Sequence, residues 1–310
     1  VQTRIERAGA TRRRDLLLGA GALLGCSKFE SARAGPSETV SSASVRIMRW
    51  DLGVQSWGAG RAVIVVPTFG QPDTRFPVVV ALHGRGESLK PPDEGALGWP
   101  RDYALVRAFD RLRAPPLRAS DFVGLVEPEQ LAVTNLSLSR QPFVGVIVAC
   151  PWLPDLRPTK PEDLDAYAEF VLGVLLPRVR METPALPDPQ ATGIDGVSLG
   201  GAFALGIGLE HPTAFGAVGG IQPALAAEDT AMWVTAAKAA RARHPSLKLR
   251  LLTSYDDYFH DSISEVSQAW QDAGVPHDFG VYPGPHDYVF NRGPGSIELL
   301  LWNDRSLHDA

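Results

Sequence analysis

Residues 194–201 read Ile-Asp-Gly-Val-Ser-Leu-Gly-Gly, and within them Gly196-Val197-Ser198-Leu199-Gly200 is a G-x-S-x-G sequence. A strand is expected near 191–195, just before it, and a helical pattern beginning at Leu199 follows. A chain that passes from strand to helix in so few residues must turn sharply. The serine at the apex takes a strained backbone. The residues two before and two after it have no room for a Cβ, and both are glycine. Such a turn lifts the Ser198 hydroxyl to the carboxyl edge of a sheet. It also seats the residue at a helix N-terminus, where the dipole favours developing negative charge. The bare five-residue pattern is common in proteins. Its setting between a strand and a helix makes Ser198 a candidate nucleophile.

The chain around this turn alternates strand and helix patterns. Short β-branched runs at 63–66, 78–82 and 144–149 are bounded by Pro and Gly. Continuous apolar runs of this kind suit strands buried on both faces. Residues 161–180 read as a helix, with Leu164, Tyr167, Ala168, Val171, Val174 and Leu175 at helical spacing. Strands follow at 217–221, 249–253 and 279–282. Helices follow at 227–243, at 262–273 with Gly274 just past its end, and at 296–302. The expected fold class is therefore α/β, a mostly parallel central sheet with helices on both faces. Segment 87–142 breaks the rhythm. It separates two strands by far more than an ordinary connection and reads as an inserted, lid-like segment. Trp99 and Tyr103 within it, with Val54 and Trp152, are expected to wall a pocket.

A serine hydroxyl becomes a useful nucleophile only when a base takes its proton. In a strand–turn–helix site of this kind the acid and then the histidine follow the serine in sequence. His286, in Tyr282-Pro283-Gly284-Pro285-His286-Asp287, lies in the turn directly after the last expected strand, where a base can reach Ser198. His277 and His260 read as loop and helix-start residues, and His211 as structural. The acid should follow the strand at 249–253, where Asp256 and Asp257 are adjacent. Asp257 is preferred and Asp256 is its rival. Attack on an acyl carbon creates an oxyanion that needs preset N–H donors. Leu199, next after the nucleophile, offers one backbone N–H. The loop His83-Gly84-Arg85-Gly86, after the strand at 78–82, offers another through the main chain of Arg85. His83 reads as a hydrogen-bonding loop residue.

Composition bounds the rest. With 45% hydrophobic residues in 310, the chain can bury a large core. A formal net charge of −5, without a basic block in the body, argues against a nucleic-acid partner. Two cysteines, Cys26 and Cys150, cannot form a disulfide framework in a chain of this length. Cys150 ends an apolar run and reads as a buried thiol. Residues 12–26 run Arg-Arg-Arg-Asp-Leu-Leu-Leu-Gly-Ala-Gly-Ala-Leu-Leu-Gly-Cys. The apolar stretch 16–25 is short of the roughly 20 residues that span a bilayer. Basic residues followed by a short apolar stretch fit an export signal. Arg13-Arg14-Asp15-Leu16-Leu17 resembles a twin-arginine signal. Leu23-Leu24-Gly25-Cys26 resembles a lipobox, with Leu24 where a small residue is usual. A lipid anchor at Cys26 is therefore expected, on an exported protein that is periplasmic or membrane-tethered in a bacterium. The alternative is plain cleavage near 32–34. Residues 27–44 read as a flexible tether, and 45–310 as the folded domain.

Taken together, the sequences at 82–87, 196–201, 254–259 and 284–287 resemble the α/β-hydrolase superfamily. Within it they are most similar to the esterase group that includes esterase D and feruloyl esterases. The resemblance spans about 61–302. It implies carboxylic-ester hydrolysis through an acyl-enzyme, with no cofactor and no metal, on a small-molecule ester or acyl substrate. The group's G-x-x-D-x-F sequence sets Asp257 at the acid position, and its oxyanion sequence sets Arg85 at the donor position. A peptidase, depolymerase or acyltransferase on the same fold is the alternative. A non-catalytic, lipid-tethered binding protein is the reading from another class.

Overall fold

The computed structural model describes residues 42–308, which belong to one compact unit, 40–310. Residues 1–26, read above as an export signal, and the expected tether up to residue 41 lie outside the described residues. The sheet is built from β1 (Val45–Gln55), β2 (Gly58–Pro67), β3 (Val78–Leu82), β4 (Ile147–Pro151), β5 (Thr192–Gly196), β6 (Ala217–Ile221), β7 (Lys248–Asp256) and β8 (Asp278–Pro285). Their spatial order is β1-β2-β4-β3-β5-β6-β7-β8. β1 and β2 form an antiparallel hairpin, β2 runs antiparallel to β4, and all later pairings are parallel. Every residue of β3, β4, β5 and β6 is buried, as expected of parallel strands covered on both faces.

Two departures from the expected strands have local causes. The β1–β2 hairpin was not read from the sequence as a whole. Its first strand buries Val45, Trp50 and Leu52 but exposes Arg46, Arg49 and Asp51, so its polar side hides the pattern. β4 begins at Ile147 rather than at 144. Gly145 takes φ +104°, and the Asp304 carboxylate accepts the N–H groups of Val144 and Gly145, drawing that backbone away from the sheet.

The helices are α1 (Arg85–Ser88), α2 (Pro92–Gly95), α3 (Leu105–Leu112), α4 (Pro128–Arg140), α5 (Pro161–Phe170), α6 (Leu176–Glu182), α7 (Leu199–Glu210), α8 (Thr230–Arg243), α9 (His260–Asp272), α10 (Tyr288–Phe290) and α11 (Ser296–His308). α5 and α6 are one rod, joined by a π turn at Val171–Leu175. Pro177 at the start of α6 has no N–H for the regular ladder, which accounts for the wider turn before it. α5, α7, α8 and α9 contribute to one apolar cluster through Tyr167, Phe203, Trp233 and Trp270.

Segment 87–142 is integral to the other cluster. Trp99, Tyr103, Phe109 and Phe122 are fully or almost fully buried there with Ile297 and Leu300 of α11. The segment thus covers a face of the sheet rather than standing over it as a separate lid. The pocket-wall expectation fails for Trp99, whose indole N–H donates to Leu82 O at 3.0 Å inside the core. It fails for Val54 too, which is 87% exposed near the hairpin turn.

A buried ionic network lies under the G-x-S-x-G turn. Asp195 on β5 accepts from Arg250 of β7 at 2.6 Å, from Asn303 of α11 at 3.0 Å and from the Gly196 N–H at 2.8 Å. Arg250 also reaches the Glu298 carbonyl at 2.9 Å. Arg250→Met should destabilise the fold by about 3–5 kcal/mol, because it leaves the Asp195 carboxylate buried without its cation. Urea unfolding measures this, and an unchanged midpoint would contradict it.

Candidate active site

The turn at Ser198 has the strained geometry that its glycines permit. Ser198 adopts φ +57° and ψ −121°, outside the regions side chains favour. A Cβ on Gly196 would lie 2.5 Å from the Gly200 backbone, and one on Gly200 would collide with the carbonyls of Leu82 and His83. Flanking strands anchor the turn. Val197 N–H donates to Leu82 O at 3.1 Å and Ser198 N–H to Ile221 O at 3.0 Å. α7 begins at Leu199, so the Leu199 N–H is among the helix-end donors without an intrahelical acceptor.

His286 is the first residue beyond β8, and Asp257 the first beyond β7. The two meet through His286 Nδ1 and Asp257 Oδ1 at 2.8 Å, with the Asp257 side chain fully buried. Asp257 Oδ1 also accepts the Phe259 N–H at 2.9 Å, and Oδ2 accepts the Thr253 hydroxyl at 2.9 Å. Asp256 ends β7 exposed to solvent. Of the adjacent aspartates, Asp257 is therefore the one paired with the imidazole. The Tyr258 ring lies against His286, with centroids 4.3 Å apart, and Phe259 meets it edge-on at 5.5 Å. The other histidines are engaged elsewhere or sit at helix ends. His277 bonds Ser267 and Val275, His211 caps α7, and His260 opens α9.

The loop after β3 comes to the same edge. Gly84 lies beside Ser198, such that a Cβ on it would be 3.5 Å from the Ser198 Cβ. Arg85 opens α1, and its guanidinium makes two bonds to Asp155, at 2.8 and 2.9 Å. That hydrogen bond holds the Asp155 carboxyl below its ordinary pKa. His83 is buried and its pKa is lowered by desolvation. Its Nδ1 bonds Gly84 O at 2.9 Å, and its Nε2 takes the Leu153 N–H at 2.9 Å. These contacts fit a neutral ring that ties two loops together.

Two features escaped the sequence reading. Gln222 follows β6 with φ +43° and is completely buried. Its amide donates to Ser254 Oγ at 2.6 Å and to Pro285 O at 3.2 Å, bracing the residue before His286. The signal that could have found it is a polar residue directly after a fully apolar strand. The second feature is a buried carboxylate, Glu87, behind the loop at 83–86.

The fold and this geometry can be set beside known proteins. A family model described as "Putative esterase" matches residues 151–291, a span that takes in Ser198, Asp257 and His286. The fold is that of an α/β-hydrolase, and the part of the chain from 151 to 291 matches this esterase family. The family match and the fold together support a serine ester hydrolase. Among solved structures, the chain is similar to a ferulic acid esterase at 17% identity, covering 84% of this chain and 99% of that one, with a TM-score of 0.62. It resembles the S-formylglutathione hydrolase of Staphylococcus aureus at 12% identity, over 84% of this chain and 99% of that one, with a TM-score of 0.56. It also resembles the feruloyl esterase module of Clostridium thermocellum, solved with sinapinate, at 13% identity over 89% and 93%, with a TM-score of 0.57. At these identities the likeness speaks to the fold. No protein of curated function matches the chain by sequence.

Proposed function

We propose that Ser198, His286 and Asp257 are the catalytic triad of this esterase, acting by two-step acyl transfer. His286 Nε2 takes the proton of Ser198 as its Oγ attacks the acyl carbon. The backbone N–H groups of Leu199 and Arg85 hold the oxyanion. The bond to the alcohol oxygen then breaks, and the His286 proton passes to the departing alcohol. Water, deprotonated by the same imidazole, attacks the acyl-enzyme, and the imidazolium returns that proton to Ser198 Oγ as the acyl–Oγ bond breaks and the acid leaves.

The observation that carries this reading is the 2.8 Å bond from His286 Nδ1 to the buried Asp257 carboxylate, at the sheet edge that also holds a strained serine. With Nδ1–H committed to Asp257, Nε2 is left as the acceptor of the ring. Hydrochemical competence is tested by rapid mixing with p-nitrophenyl acetate, with methyl ferulate and alcohol acceptors added to a wider panel. A burst of about one p-nitrophenol per enzyme, followed by turnover to water, is expected of an acyl-enzyme. Release no faster than the uncatalysed reaction would contradict it. Preferred transfer to an alcohol would recast the esterase as an acyltransferase.

We further propose that the protein is exported and acylated at Cys26, supported by the sequence at 12–26. Palmitate labelling that disappears in Cys26→Ser would bear this out. An unlabelled wild-type protein would count against it.

A further inference from the structure

The buried carboxylate of Glu87 is only 1% exposed and carries three donors. They are the Tyr103 hydroxyl, the Tyr288 hydroxyl at 2.5 Å and the Lys90 ammonium at 3.2 Å. Lys90 continues to Asp102 at 2.8 Å and lies over the Tyr288 ring. The Tyr103 oxygen does two jobs, because it also accepts the N–H of Gly84 at 3.1 Å. On the other side of Gly84, its carbonyl is bonded by His83 Nδ1 at 2.9 Å and by the Glu87 N–H at 3.2 Å. That carbonyl belongs to the same peptide plane as the Arg85 N–H.

Glycine rotates more freely than any other residue. An oxyanion donor is useful only if it is aimed before charge develops. Gly84 is therefore the joint at which an oxyanion loop of this sequence would lose its aim. The Tyr103 hydroxyl locks it from one side and His83 from the other. Burial and the adjacent Glu87 charge both raise the pKa of Tyr103, so it stays protonated and donates to the carboxylate. Tyr288 stands two residues after His286, so the same carboxylate also braces the loop carrying the imidazole.

We infer that Tyr103, oriented by Glu87, is a positioning residue that fixes Gly84 and thereby aims the Arg85 N–H, and that Glu87 links this loop to the His286 loop through Tyr288. The inference rests on the triad and oxyanion roles proposed above.

Tyr103→Phe deletes the hydroxyl and keeps a ring packed against Trp99 and Tyr288. On p-nitrophenyl acetate, kcat should fall about 10- to 100-fold, with KM changed less than about threefold because ground-state binding is untouched. Affinity for an alkyl boronic acid, which forms a tetrahedral adduct on the serine, should fall in step with kcat/KM. Glu87→Gln keeps the shape but turns an amide donor toward one of the tyrosine hydroxyls. It should show the same split, which covers the case in which Tyr103→Phe does not fold. A folded Tyr103→Phe or Glu87→Gln with kcat within twofold of wild type, whatever its melting temperature, overturns the inference. Fluorophosphonate labelling of the wild type at Ser198 keeps that failure distinct from failure of the triad assignment itself.

Discussion

Ser198→Ala should lower kcat on p-nitrophenyl acetate about 10⁶-fold, the scale on which loss of a triad nucleophile acts in other serine enzymes. No neighbouring group can take over. His286 is committed to Asp257 through Nδ1. The one cysteine among the described residues, Cys150, lies buried inside β4 with its pKa raised by burial, so it is a poor nucleophile. Whatever activity remains should come from binding and the backbone donors, which do not need the hydroxyl. The fold should survive. Ser198 is held in its turn by backbone bonds to Ile221 and Ala224, neither of which uses its side chain. Circular dichroism and the melting temperature, compared with wild type, check that loss of activity is loss of chemistry. A folded variant with more than about a thousandth of wild-type kcat is incompatible with Ser198 as nucleophile.

Asp257→Ala should cost about 10⁴-fold in kcat, while Asp256→Ala stays within about threefold. The contrast follows from where the two side chains end. Asp256 projects into water at the end of β7. Asp257 turns inward to His286, Thr253 and Phe259. Its removal leaves the imidazole without an orienting acceptor and without a counter-charge when it becomes an imidazolium. Asp257→Asn should fall between the two alanine variants. The Thr253 hydroxyl can rotate to accept from an amide nitrogen, which leaves the other oxygen facing His286 and Phe259. The geometry then persists while the charge is lost. Steady-state kinetics on the three folded variants measure the order. A larger loss for Asp256→Ala than for Asp257→Ala would reverse the assignment.

The parts of this site that were legible in the sequence are those written by local constraint. Gly196 and Gly200 are required because carbonyls crowd both positions, so the turn announces itself. β3 and β6 were readable to the residue because both faces are covered and every side chain is apolar. His286 was readable because the last strand ends directly before it. Local constraint alone leaves Asp256 a rival to the preferred Asp257, since which of two neighbours turns inward depends on contacts with Thr253 and His286. The place of segment 87–142 is hidden from the sequence for a related reason. Its aromatic residues look the same in a sequence whether they wall a pocket or fill a core, and only α11, far along the chain, decides the matter. The bond between Glu87 and Tyr288 joins residues 201 positions apart, a separation that no spacing rule reaches.

The proposed mechanism requires that Ser198 be a hydroxyl made nucleophilic by His286 and Asp257. Incubation with a fluorophosphonate, followed by proteolysis and mass spectrometry of the labelled peptide, tests it most directly. One adduct per chain is expected, on Ser198, with labelling slowed greatly in His286→Ala and absent in Ser198→Ala. An adduct on a different residue, or none on a folded and homogeneous protein, would contradict it.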